Sequence, residues 1–334
     1  MRRLAALAFF LVPMAAAAEE PARLPLLISE PDAFGTLVNP QCSHCRDEAK
    51  RRASDLRDSD RVLCWIRGYS EGGAIPMRFF LNSYRVISDS YGVFVYDPDA
   101  GFARGFAPSY DFTFHGWRNG VMVMKHKDGT LYSCLSGKAF DGPKKGTQLE
   151  AVPTLVSNWG DWLARYPQAV AYHMFDKYQP VELPADETQN SRQSRGKVDA
   201  RLPADETVLG IADGQKVRAY RIKDLEEAGL LRDKVGEREW VILWNGATRT
   251  AAGYGSIAHP AQKDQAQPRP VTLVPDAKSE TAPYADRETG SHWDIAGRAV
   301  DGELKGWTLE WLNGTQLKWF AWAAEYPETT IHHP

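Results

Sequence analysis

Cys42-Ser43-His44-Cys45 puts two thiols and an imidazole within four residues, between the turn signal Asn39-Pro40 and a charged stretch, Arg46 to Leu56, that reads as a helix. Thiols at a helix N-terminus face the positive end of its dipole, which favours thiolate. Three chemistries fit and stay open. In the first, Cys42 and Cys45 are soft ligands and His44 a borderline one. Cys64, His115 and Cys134, or a thioether from Met122 or Met124, complete the shell around copper or zinc. In the second, the pair is a thiol-disulfide oxidoreductase site, since Cys-x-x-Cys opening a helix lowers one thiol's pKa. The chain lacks a clear thioredoxin βαβ pattern, however, and Pro76 is a weak stand-in for the proline expected beside such a site. In the third, all four cysteines form two disulfides and staple a non-catalytic binding module. Covalent haem is excluded, because Arg46 stands where the attachment motif needs histidine.

Other polar residues read mainly as structure. On a regular strand His115 shares a face with Thr113 and Asp111, which predicts a His-Asp pair; only a bulge would turn it otherwise. His126, between Lys125 and Lys127, reads as surface. Asp97 and Asp99 around Pro98 read as a turn, as do Asp141-Gly142 and Asp301-Gly302. The sequence has no Gly-Lys phosphate loop, no Gly-x-Ser-x-Gly elbow and no His-Glu-x-x-His, so no nucleotide cofactor or catalytic residue is assigned and the reading leans away from an enzyme.

The elements that must hold these residues occur twice. Gly137-Lys-Ala-Phe-Asp-Gly142, Lys145-Gly146 and Leu149-Glu150 return as Gly297-Arg-Ala-Val-Asp-Gly302, Lys305-Gly306 and Leu309-Glu310. In the same register Trp159, Trp162, Ala164, Tyr166 and Pro167 return as Trp319, Trp322, Ala324, Tyr326 and Pro327, and His173 falls on His333. Upstream, Val62-Leu63 resembles Val208-Leu209. The strands Gly92 to Tyr96 and Trp240 to Trp244 hold like positions. Leu155 to Tyr166 and Thr315 to Tyr326 read as helices with Trp and Tyr on one packing face. All four cysteines lie in the N-terminal half and the C-terminal copy has none, an asymmetry that points to a sulfur site in one half alone.

The expected fold is β-rich α+β, with two homologous tandem domains, each ending in a Trp-rich helix. Residues 1–18 read as a signal peptide: Arg2-Arg3, an apolar run from Leu4 to Ala18, and small residues at the cut. Residues 19–58 form the Cys-containing segment, 59–181 the first domain, 182–207 a polar linker and 208–334 the second domain. Within the second domain, 256–285 reads as a disordered surface loop. Localisation is the periplasm or the secreted space, with no membrane anchor. The formal net charge of -3 and the lack of a long basic run exclude nucleic acid as a partner and leave a periplasmic protein partner open.

Asp286-Arg-Glu-Thr-Gly-Ser291 followed by Trp293, the Gly297 to Leu309 block and the Trp-x-x-Trp…Tyr-Pro ending resemble the bacterial family catalogued as domain of unknown function 3179, here in two diverged copies covering most of the chain. The resemblance implies no activity. Many members carry Cys-Pro-Leu-Cys after the central strand. The corresponding stretches here, Tyr96 to Gly101 and Leu243 to Ala247, hold no cysteine, so nothing is carried over from those residues.

Overall fold

The computed structural model describes residues 26–39, 56–67, 71–81, 84–172, 189–261, 266–276 and 279–333. Among them the chain is β-rich, with five short helices: α1 (Met77–Leu81), α2 (Trp159–Arg165), α3 (Gln189–Ser194), α4 (Ile222–Ala228) and α5 (Trp319–Glu325).

Two small sheets have the same pattern. In the first, β3 (Thr154–Asn158), β1 (Arg61–Arg67), β2 (Glu71–Pro76) and β4 (Val170–Ala171) lie in that order, antiparallel except for the last pair, which is parallel. In the second, β7 (Thr315–Lys318), β5 (Thr207–Asp213), β6 (Lys216–Arg221) and β8 (Thr330–Ile331) repeat the order and the directions. A larger sheet stands beside each. One joins the strands Ala151–Val152, Phe102–Phe106, Val93–Asp97, Tyr84–Ser88 and Gly35–Val38; the other is built on Leu230–Val235, Arg238–Asn245 and Thr250–His259. A further sheet centred on Phe112–Arg118 and Val121–His126 completes the N-terminal part, and a short hairpin sheet, Leu273–Pro275, Tyr284–Asp286 and His292–Trp293, completes the other.

The Trp-rich helices are shorter than their periodicity predicts. Residues 155–158 and 315–318, expected as the first turn of each helix, are strands. Thr154 and Val156 are β-branched and complete a ladder with Trp65 and Leu63, which a helix would leave open. From Trp159 and Trp319 onward the helical spacing takes over, and Trp159, Trp162, Trp319 and Trp322 are all buried, as expected of a packing face.

The core does not divide at the polar stretch. Its largest cluster joins Val95, Phe106, Met122, Met124 and Cys134 to Val208, Leu317, Trp319 and Trp322. The contacts between the two parts are reciprocal. At the end of α2, burial raises the Asp294 carboxyl while the nearby Arg165 guanidinium opposes the rise, and Arg298 lies 5.8 Å from the Tyr166 ring. At the end of α5, Glu325 accepts a hydrogen bond from Ser136 in the N-terminal part.

Two stretches expected to be unstructured contribute elements. Ser191 and Ser194 of α3 are buried, the Ser194 hydroxyl accepts the Gly120 amide at 2.8 Å, and Val198, Leu202 and Ala204 pack on the main cluster. Within 256–285 the described residues include the end of the Thr250–His259 strand, Arg269–Pro270, Leu273–Pro275 and the start of Tyr284–Asp286, with Val271, Leu273, Ala282 and Tyr284 buried. Isolated apolar residues in a polar stretch are enough to anchor it once a core exists to receive them.

Candidate functional site

Cys42, His44 and Cys45 lie outside the described residues, as does His173. The other sulfur and imidazole candidates lie apart. Cys64 pairs with Leu155 and Ala74 in its sheet and packs among Val62, Trp159, Trp162 and Tyr166. Cys134 belongs to the main cluster. Both are buried free thiols, and burial pushes both well above the ordinary thiol range. The expectation of two disulfides is therefore not met at these positions, because each sulfur is enclosed by its own apolar cluster. Met122 and Met124 are core residues in the same cluster as Cys134. No group of three or more His, Cys, Asp or Glu arranged to hold a metal occurs among the described residues.

His115 is the extra residue of a bulge: Phe114 faces Met124 and Gly116 faces Val123, leaving it without a cross-strand partner. Its Nε2 lies 3.2 Å from the Ser29 hydroxyl, and burial followed by Lys125 lowers its pKa. The expected pair with Asp111 does not form; Asp111 instead faces Lys127 at 2.9 Å and His126 at 3.7 Å. His126, expected at the surface, is mostly covered, standing 3.0 Å from Asp128 and 5.1 Å from the Phe112 ring.

The acidic motifs organise turns. Asp97 accepts the Ala100 amide at 3.0 Å and the Met122 amide at 2.9 Å. Asp286, which opens the Asp-Arg-Glu-Thr-Gly-Ser motif, accepts the Thr289 amide at 2.6 Å and the Trp293 indole N–H at 2.9 Å. This closes the hairpin around Gly290, whose φ is +72°. That geometry accounts for the motif without catalysis.

The site with room for a ligand lies elsewhere, between the two parts of the chain. A cavity of about 360 Å³ is lined by Thr154, Leu155 and Val156 of β3 and by Gly314, Thr315 and Gln316, at the start of β7. Arg61 and Thr207, the first residues of β1 and β5, also line it. Tyr96, Ala103 and Ala251 come from the larger sheets, and Met77 from the start of α1. Hydrogen bonds between the two parts fix this wall. Arg61 Nη1 donates to the Thr248 carbonyl at 2.6 Å, Thr250 Oγ1 donates to the Val156 carbonyl at 2.7 Å, and the Lys318 amide donates to the Ala100 carbonyl at 2.8 Å. Gln316 is held by the Ala251 amide at 2.8 Å and donates to the Arg249 carbonyl at 3.2 Å.

Among the described residues the lining carries one guanidinium, one phenol, three threonine hydroxyls and one carboxamide, with no carboxylate, imidazole or thiol. Burial, ahead of neighbouring charges, raises the Tyr96 phenol to about 12, so near neutrality it is an uncharged donor. Such a wall can bind and orient a small molecule. None of these residues reads as a site residue in the sequence, although Tyr96 and Gly101 bound the stretch where the family carries Cys-Pro-Leu-Cys. One signal was present: the repeat matches closely before residue 151 and again from Trp159, while 151–158 and 311–318, which supply the facing walls, have diverged.

Residues 103–329 match the family model described as protein of unknown function (DUF3179). No curated protein and no solved structure matches the chain.

Proposed function

The chain belongs to that family of unknown function, and from this premise we propose that it is a non-catalytic binding module, exported to the periplasm or beyond, that holds a small molecule between two diverged copies of one domain. The cavity carries the reading. Its size is at the small end of the roughly 300–1,000 Å³ typical of ligand sites, and its wall mixes apolar and donor groups. The copies are supported by the shared strand order of the two small sheets and by the likeness of the closing helices. Trp162 and Tyr166 stack at 4.3 Å and 41°, Trp322 and Tyr326 at 4.4 Å and 43°. On this reading Thr154, Leu155 and Val156 correspond to Gly314, Thr315 and Gln316, Arg61 to Thr207, and Ala103 to Ala251. The cavity then lies on the line relating the copies, and substitutions in one wall have made it asymmetric. Export rests on the apolar run from Leu4 to Ala18.

Amide NMR of the mature chain against a fragment library tests the reading. Fragments should shift Gly101, Gly314 and Gln316, and Ala251→Leu, checked for folding by circular dichroism, should block them. Fragment binding that leaves these amides still, or that survives Ala251→Leu, would overturn it.

A second reading keeps copper or zinc on Cys42, His44 and Cys45. It rests on those three donors standing within four residues of sequence, with Cys64 and Cys134 enclosed in separate apolar clusters and outside the shell. Equal metal content in wild type and the Cys42→Ser, Cys45→Ser double variant, both purified without chelator, would end it.

A further inference from the structure

Among the described residues Arg61 is the one cation lining the cavity, and its hydrogen-bond partners are all neutral: the Asn158 side-chain oxygen at 2.9 Å, the Thr248 carbonyl at 2.6 Å and, at a long 3.5 Å, the Val156 carbonyl. The first two bonds both use Nη1. The edge formed by Nε and Nη2 therefore carries only the long contact among the described residues, and that edge has the spacing that receives a carboxylate through two parallel hydrogen bonds. The nearby Asp161 is already engaged, by the Ser157 hydroxyl at 2.8 Å and by Arg165 at 2.7 Å. Arg249, close enough to act on Arg61 as a like charge, is drawn outward to Glu226 at 3.1 Å. The same lining includes the apolar side chains of Met77, Leu155, Ala103 and Ala251, while Tyr96 and Thr315 add neutral hydroxyls.

We propose that the cavity takes a small organic monocarboxylate, its carboxylate on Arg61 and its apolar body against Met77, Leu155 and Ala251. This rests on the cavity being a ligand site. A single cation backed by an apolar wall matches one negative charge on an apolar body. It matches poorly a multiply charged phosphate, which calls for several donors or a backbone nest.

The test titrates hexanoate, hexanamide and inorganic phosphate into the full mature chain and follows the cavity amides by NMR. Hexanoate should shift Gly101, Gly314 and Gln316 saturably, hexanamide should bind about tenfold or more weakly, and phosphate should leave them unmoved. Arg61→Gln should erase the preference for hexanoate, and Arg61→Lys should restore part of it; a folded amide spectrum for either variant secures the comparison. Equal binding of hexanoate and hexanamide, or a phosphate response matching hexanoate, overturns the carboxylate assignment while leaving a ligand site in place. Silence from all three overturns the assignment alone if library fragments still bind there, and the ligand-site reading with it if they do not.

Discussion

Arg61 Nη1 donates to the carbonyl oxygen of Thr248 at 2.6 Å, joining the first strand of one small sheet to a turn far along the chain. Arg61 lines the cavity, and Thr250, two residues on from Thr248, ties in the neighbouring lining residue Val156 through its carbonyl. Arg61→Ala should cost about 1 kcal/mol in urea unfolding, at the low end for a charged donor because the side chain is partly in water. Arg61→Lys should recover part of that. A neutral result for Arg61→Ala would mean the two parts hold their relation without this bond.

Gly210 in β5 lies under the Trp322 ring, and a Cβ there would stand 2.3 Å from the ring carbon Cε3. Gly210→Ala should therefore destabilise by about 1–3 kcal/mol through overpacking. Gly129, at φ +93° with nothing within 4 Å, separates the steric effect from backbone strain. Gly129→Ala should cost only about 1 kcal/mol. Equal midpoints for the two variants in denaturant would show that Trp322 yields freely.

How legible this was depends on range. The repeat blocks and the Trp159, Trp162, Trp319 and Trp322 faces were readable because their signals are local and periodic. The bulge at His115 was not, since it depends on how Phe114 and Gly116 register against another strand. Nor was the anchoring of α3, which depends on Ser194 meeting the Gly120 amide. The cavity was least legible of all. Arg61, Thr154, Thr207 and Thr315 are ordinary residue types widely separated in sequence, and only the packing of the two parts brings them around one cavity.

Cys64 and Cys134 should be silent to thiol reagents in the folded protein, since burial raises both thiols and apolar side chains enclose both sulfurs. Both should react as the chain unfolds in guanidinium, with labelling tracking the loss of tryptophan fluorescence. Labelling of either in native buffer, mapped by mass spectrometry, would show a thiol more open than its cluster implies.

His292 Nδ1 lies 2.7 Å from Asp301, with Asp276 3.4 Å from its Nε2, and the hydrogen bond to Asp301 is the main cause of its raised pKa. Because the folded value exceeds the unfolded one, the stabilisation is fully present below about 6.5 and is lost as pH rises through the folded value. The effect should be small because the group is partly exposed. Proton NMR should find His292 titrating above 6.5, and Asp301→Asn should bring it down. No change in Asp301→Asn would reassign the shift to Asp276.

Asp97 runs the other way. It is fully buried, and burial, reinforced by Asp99, raises it to about 7 against the pull of the Ala100 and Met122 amides. Below about 3.8 the carboxyl is protonated in both states. Between there and about 7 the unfolded chain releases a proton that the folded chain keeps, so folding stability from this group falls as pH rises through that window and is level above it. The fall amounts to about 1.4 kcal/mol per unit of separation, a few kcal/mol at most. Asp97→Asn abolishes the titration, yet its amide nitrogen must face one of the two backbone donors, at a fixed cost of about 1–3 kcal/mol. Urea unfolding at pH 5, 6 and 8 separates the two effects. The wild type should lose stability from pH 5 to 8 relative to a variant that is weaker at pH 5 and flatter with pH. Parallel curves would mean that the two amides hold Asp97 ionised throughout and that the turn is anchored by a charge rather than by a neutral acid.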